Sequence, residues 1–534
     1  MHHAERPRLL YFNGPWDYVG ARILKSYIEP FAALLAQDFE VISVEGDRDF
    51  RNEVEKHRPD LVLFHTGCES PGEPEVKITS TDSYPEIPRL GYMFRDPFSP
   101  SRAATMNRMT AWGVHQVFTD FRPSDAPAPY FQETMFLPWW VDDRLFRDYG
   151  EKKSLWITLT GSGWFTQCIY TWRKEITMQL LPRFPIFHAP SLGNRQTNHD
   201  YTGEAYARLL NRSRFSAGCG TVSRYLTMKL LEIPASRCCL ITEEIEALKA
   251  IGFRDGVNCV FADGKTVVAK VQALLADPDR LQRITDAGYD LVHEHHTQRQ
   301  RRQFAEWFQL WKTKAADERI VQVSPFEPLQ VVPSRSPRPA YRFPAENPLT
   351  AALVEGYRLM ADQHWAEALQ KFDWVIAIVP CVAEARLGAA ICLLRLARAA
   401  EAIPHVTYNV NLMVKHFGFA RPDPIDLAFQ AVVAVRNKDP KTAVKLLSTY
   451  PDLRHPALTA MRWIFAKSNP ALGRLAAFDV REGDETTNVH TVHLLPQRTF
   501  SEWAALLMGC IRADVPAMRQ NLPEGSRLAE THGQ

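Results

Sequence analysis

Two stretches of this 534-residue chain gather side chains that could do chemistry. "LTGSGWFTQCIYTWR", Leu159–Arg173, places a glycine-rich turn after a predicted strand. Gly161 and Gly163 let a backbone approach a phosphate closely, a helix N-terminus would attract its charge, and Arg173 adds a fixed cation. "HEHHTQRQRRQF", His293–Phe304, packs three histidines and three arginines into twelve positions. Its chemistry would be metal ligation or contact with a polyanion. The histidines fall at i, i+2 and i+3, so a regular helix cannot converge them on one ion. Phe304, Trp307, Phe308 and Trp311 form an apolar stripe that must face a core. The expectation is a helix entrance with a solvated basic face. Asp-x-Asp triplets at Asp47–Asp49 and Asp277–Asp279 could hold a cation, but each stands where a helix should start, and capping is the simpler role.

The elements that must position these residues come next. In residues 1–150, "RLLYF", "FEVISVEGD", "DLVLFHTG", "RLGYMFRDP" and "HQVFTDF" read as strands separated by helical patterns. The pattern restarts at 151–319 with "SLWITLTGSGW", "RFPIFHAP", "CCLITE" and "CVFAD". Alternating βα units predict two open parallel sheets covered by helices, with the break near Asp148–Lys153. In such sheets ligands bind beyond the carboxyl ends of the strands.

Seven prolines fall between Pro325 and Pro348, so residues 320–348 read as a stiff, extended linker. Residues 349–534 are Ala- and Leu-rich and predicted to be helical. Gly356, Ala368, Phe372 and Pro380 have the spacing of a tetratricopeptide unit, and Ala402 follows Ala368 by thirty-four residues. A looser copy carries Ala443. Small residues there allow close approach of paired helices. Stacked pairs form grooves that bind peptides or proteins.

Composition narrows the classes. Charge is balanced, 63 Lys+Arg against 61 Asp+Glu, whereas a polyanion-binding surface carries excess base, so no nucleic-acid partner is expected. Nine irregularly spaced cysteines without a CxxC pair read as reduced thiols of a cytoplasmic protein. The N-terminal stretch lacks the apolar core of a signal peptide, and no run nears the roughly 18 apolar residues of a membrane span.

"SRYLTMKLLEIPASRCCLITE" sets a helix ending at Glu232, then Pro234, a small-residue turn and a strand. Together with "LNRSRFSAGCG", "GFRDGVNCVFAD" and "LLADPDRLQRITDAGYDLVHEHHTQRQR", in that order, it resembles the C-terminal domain of the CgeB-like glycosyltransferases of the GT-B group. The resemblance covers Leu210–Phe304 closely and residues 1–150 loosely. It implies two Rossmann-like domains in GT-B arrangement and a nucleotide-sugar donor held by the second, with no metal or other cofactor. Glu232 matches the glutamate expected to accept hydrogen bonds from the donor ribose. Arg224, eight residues earlier, stands where many relatives carry a Glu, so its expected role is open between sugar and diphosphate. Ser236 replaces the usual Gly after "Pro-Ala". His296, Thr297 and Arg301 match the family's His-Thr segment, which leads into a helix that packs across both domains.

The resemblance gives the acceptor and any general base to the first domain. Asp17 in "GPWDYVG", His65 in "LFHTG" and Asp96 in "MFRDP" follow predicted strands on the cleft side. The leading expectation is a glycosyltransferase whose tetratricopeptide-like region, 349–534, recruits a protein or peptide acceptor. Bacterial flagellin glycosyltransferases carrying such a module offer an analogy. The rival is a non-catalytic adaptor with a degenerate GT-B half.

Overall fold

The computed structural model describes residues 6–14, 30–65, 76–94, 97–99, 101–122, 133–161, 168–190, 201–344, 346–416, 421–468, 481–493 and 498–512. The first α/β half holds β1 (Arg8–Asn13), β2 (Glu40–Glu45), β3 (Arg48–Asp49), β4 (Leu61–His65), β5 (Ile78–Thr79), β6 (Arg89–Met93), β7 (Gln116–Thr119) and β8 (Met135–Phe136). Six of these form one sheet in the order β2-β1-β4-β6-β7-β8, and β3 pairs with β5. All pairs are parallel. The inner strands β4 and β6 are buried along their whole length, which is why "LVLFH" reads as an unbroken apolar run and does not alternate.

The second half holds β9 (Leu155–Gly161), β10 (Ile186–Pro190), β11 (Ser213–Ala217), β12 (Cys239–Thr242) and β13 (Val260–Phe261), ordered β10-β9-β11-β12-β13 and again parallel. Strand order reverses between β9 and β11, and their carboxyl ends open a crevice there. Asp49 caps the helix Phe50–His57 and Asp277 caps Pro278–His295, so both Asp-x-Asp triplets contribute helix caps. The helix carrying Glu232 runs from Lys229 to Ala235, through Pro234. It is so short that the proline forgoes a single intrahelical bond.

The two halves are stapled by the chain after Pro278–His295. Thr297 caps a turn of 3-10 helix at Gln298–Gln300 and makes a parallel bridge with Val141. The helix Gln303–Thr313 then crosses to the first half, where Phe304 packs 4.7 Å from Phe118 and Phe308 lies 6.0 Å from Phe39. The expectation of a solvated basic face is corrected here. Arg299 and Arg302 are exposed and pair with Asp143 and Asp38. Arg301, however, is buried, and its Nε and Nη2 each donate to a backbone carbonyl 3.0 Å away, those of Pro138 and Trp139. Buried His296 pairs through Nε2 with the Ile251 carbonyl at 2.9 Å.

Residues 320–348 are not a free spacer either. β14 (Glu318–Val321) and β15 (Gln330–Pro333) form an antiparallel hairpin. The Gln322 amide exchanges two hydrogen bonds with the Phe136 backbone at 2.8 and 2.9 Å, which covers the edge strand β8. Helices Pro348–Ala361, Trp365–Ile378, Ala383–Arg395 and Ala399–Val410 stack as consecutive pairs, followed by Pro424–Arg436, Pro440–Ser448, Pro456–Ser468 and Phe500–Ile511. Gln363, Ala397 and Lys438 take left-handed backbone at the turn within each of the first three pairs, a repeat in the structure itself. Ala368, Ala402 and Ala443 are fully buried. A Cβ on Gly356 or Gly388 would lie 2.7 or 2.4 Å from the Phe372 ring, so those helices approach through glycine.

This helical region grips the first half. Buried Arg102 donates to Pro97 O and pairs with Glu384 and the Val492 carbonyl. Asn107 exchanges hydrogen bonds with the His490 backbone at 2.7 and 3.2 Å. Phe98 belongs to the apolar cluster of the helical core, and Ile169 and Val222 pack against that cluster.

Two outcomes follow. Arg102→Ala should lower unfolding free energy by about 3–5 kcal/mol, because Glu384 is then buried without its partner. Arg102→Met with Glu384→Met should recover most of the loss, as read from urea unfolding midpoints. Burial and neighbouring Arg301 push His296 down from 6.5 to about 3, so the folded chain holds it neutral. That contribution is present above pH 6.5 and is lost as pH falls toward about 3. Its slope is at most about 1.4 kcal/mol per pH unit. His296→Gln should flatten the stability–pH curve in that window.

Candidate functional site

The strand-order reversal between β9 and β11 gathers residues from several neighbouring elements. Arg173 comes from the helix Thr171–Leu180 after β9, His188 from β10, Tyr206 from the helix Gly203–Asn211 and Cys219 from the turn just after β11. Lys229 and Glu232 come from the short helix that follows and, three residues apart, share one helical face.

Glu232 is 3% exposed, so it is not a solvated helix-end charge. Burial pushes its carboxyl up toward neutrality, while the Lys229 ammonium and a hydrogen bond from Tyr206 hold it down. Lys229 is pushed down by burial and by the nearby Arg173 guanidinium, with Glu232 and Cys219 acting the other way. Part of Lys229 remains at the surface, as expected of a residue lining a crevice. Arg173 is buried, stacks 4.1 Å from the centre of the Tyr170 ring and points Nη2 at Cys219 Sγ, 3.6 Å away. Burial raises the Cys219 thiol, so it stays neutral. Burial and Lys229 lower His188, which favours the neutral imidazole. Lys229 thus stands between the two, lowered by Arg173 on one side and acting on the Glu232 carboxyl on the other.

The backbone is shaped for close approach. A Cβ on Gly220 would lie 2.6 Å from Tyr225 O, and the Gly220 N–H donates to Glu243 at 2.9 Å. Thr160 Oγ1 lies 3.4 Å from the Tyr206 hydroxyl, linking the end of β9 to the residue that holds Glu232.

The other expected residues are placed as follows. Gly161 ends β9. Gly163, Asp17 and Asp96 lie outside the described residues. Arg224 is 45% exposed, has φ +52° and directs Nη1 to Glu346, 3.5 Å away on the segment entering the helical region. It is therefore not gathered with Glu232. His65 ends β4, buried among Tyr11, Phe31 and Tyr92, with Nδ1 2.6 Å from the Tyr11 hydroxyl. Sequence reasoning missed Lys229, Tyr206 and His188. Only Lys229 left a signal, its position one turn before Glu232. Among the described residues a single trio could ligate a metal, Asp423, Asp426 and His493, and it sits on other elements, in the helical region. The described cysteines, Cys219, Cys238, Cys239, Cys259, Cys381, Cys392 and Cys510, are free thiols. No helix among the described residues is long and apolar enough to cross a membrane.

Residues 144–306 match the family model described as glycosyl transferase-like. No curated protein matches the sequence. Solved structures similar to this chain include Anabaena HepE in complex with UDP-glucose, at 11% identity and TM-score 0.36, covering 56% of this chain and 99% of that one. An α-glucosyltransferase in complex with UDP-glucose and DNA containing an abasic site gives 11% identity and TM-score 0.41, covering 58% and 100%. Sucrose-phosphate synthase from Thermosynechococcus elongatus gives 10% identity and TM-score 0.38, covering 58% and 100%. The matched residues span most of the second α/β half and include Arg173, Lys229 and Glu232.

Lys229→Met and Glu232→Gln should separate the two polar roles. Lys229→Met should weaken nucleoside diphosphate binding by about 1.5–3 kcal/mol and leave nucleoside binding nearly unchanged. Glu232→Gln should weaken both by a similar amount. Calorimetric titration with each ligand reads the difference.

Proposed function

We propose that the chain is a glycosyltransferase of the CgeB-like GT-B kind, moving a sugar from a nucleotide-sugar donor to an acceptor. The observation that carries this reading is the Arg173–Lys229–Glu232 cluster at the strand-order reversal, within the residues that match the glycosyl transferase-like family model. Glu232 accepts from the ribose hydroxyls. Lys229 and Arg173 stabilise charge as the diphosphate leaves, and Gly161 at the end of β9 lets it come close. A protein supplying these cations needs no divalent ion for that step. Arg224 stays a candidate donor contact only if it leaves Glu346 on binding.

The first half supplies the acceptor side. Asp96, His65 and Asp17 remain the candidate bases for an acceptor hydroxyl. His65 would act through the polar end of β4, where Tyr11 orients its ring. The helical pairs, with left-handed turns repeating at Gln363 and Ala397, fit a tetratricopeptide-like groove for a protein or peptide acceptor. The free cysteines fit a reducing cytoplasm.

The test is a thermal-shift panel of nucleoside diphosphates, followed by hydrolysis of the matching nucleotide sugar with no divalent ion added. A ligand at 100 times its dissociation constant should stabilise the chain by about 2.7 kcal/mol. Glu232→Gln should cut the shift to about half or less at the same ligand concentration and slow hydrolysis at least tenfold. No shift across the panel and no hydrolysis would leave the α/β half as scaffold and the chain as an adaptor.

A further inference from the structure

The junction between the helical region and the first α/β half encloses three side chains that the transfer reaction does not use. Asp423 caps the helix Pro424–Arg436 and Asp426 lies three residues on, so both carboxylates share one face of its first turn. His493 arrives from the segment before the last helix. All three are buried, the His493 side chain completely. His493 Nε2 lies 2.8 Å from Asp426 Oδ1 and 3.7 Å from Asp423 Oδ1. One ligand atom from each residue falls within 4.8 Å of the others.

Two carboxylates and one imidazole form an unbalanced group for a protein interior, where buried charge is paired or bound to metal. Arg102, the nearby guanidinium, is already taken by Glu384. Asp426 Oδ2 is buried with no hydrogen-bond donor among the described residues. Asp423 is oriented as an outer shell orients a ligand: Ile425 N–H donates to Oδ1 at 2.9 Å and Val492 N–H to Oδ2 at 2.7 Å. Four-coordinate zinc with N and O ligands at about 2.0–2.1 Å needs ligand atoms about 3.3 Å apart. The 2.8 and 3.7 Å separations bracket that value. Of the three, Asp423 also lines a cavity of about 610 Å³ shared with Arg108, Arg421 and His490, so the trio borders solvent-accessible space on that side.

We propose that Asp423, Asp426 and His493 bind a divalent transition-metal ion, zinc in the first instance, as a structural clasp between the helical region and the segment ending at His493. Binding forms bonds from the metal to His493 Nε2 and to one oxygen of each carboxylate. The proton on Nε2 leaves to solvent, and no electron is transferred. The ion clasps the same segment whose Val492 carbonyl holds Arg102, so it fastens the helices to the first α/β half. This inference does not rest on the transferase reading.

The experiment uses the full chain, stripped with chelator, dialysed, then exposed to Zn2+ alone or Co2+ alone. One equivalent of zinc is expected by mass spectrometry, with a rise in melting temperature. Cobalt should give the intense visible d–d bands of a four-coordinate site. Asp426→Asn should lose the equivalent, the melting shift and the bands, whereas Glu232→Gln should keep all three. An octahedral-type cobalt spectrum in the wild-type chain overturns the proposal without reference to any variant. A folded Asp426→Asn chain that retains its zinc also overturns it, leaving the trio as an ion pair alone.

Discussion

The joint between the two parallel sheets is organised around one buried guanidinium. Arg301 reaches from the end of the second half to the Pro138 and Trp139 carbonyls, which lie where the first half hands the chain on. A rigid planar fork satisfies both of these carbonyls at once. The bridge of Val141 with Thr297 and the aromatic contacts of Phe304 and Phe308 follow from the chain direction that this fork fixes. His296, kept neutral by burial, adds the Ile251 carbonyl to the same joint.

In the second half, Glu232 is buried at the strand-order reversal, where a carboxyl is costly unless its neighbours satisfy it. The Lys229 ammonium and a hydrogen bond from Tyr206 act on it there. Tyr206 also lies 3.4 Å from Thr160 Oγ1, which joins Glu232 to the end of β9.

The helical region is bound into this arrangement. Arg102 ties the chain after β6 to Glu384 and Val492, and Phe98 is part of the helical core. Ile169 and Val222, which follow β9 and β11, pack on the same cluster. The helices thus meet loops from the carboxyl ends of both sheets, and their position bears on the crevice mouth as well as on any groove of their own.

The sequence by itself determined the two βα series, the helical last third with its Ala368 and Ala402 spacing, and the capping roles of Asp49 and Asp277. These follow from local periodicity and from capping chemistry, both of which act over a few positions. Tertiary structure alone decided the rest. It turned Arg301 from a solvated base into the staple between halves, because burial depends on which distant carbonyls come near. It folded 320–348 into a hairpin, since proline content limits backbone conformation but does not say what the extended chain meets. It sent Arg224 to Glu346 and brought Lys229, His188 and Tyr206 to Glu232, since side chains from separate elements converge only once the sheet order is set. It also joined Arg102 to Glu384 across 282 positions of sequence, a pairing that no local pattern carries.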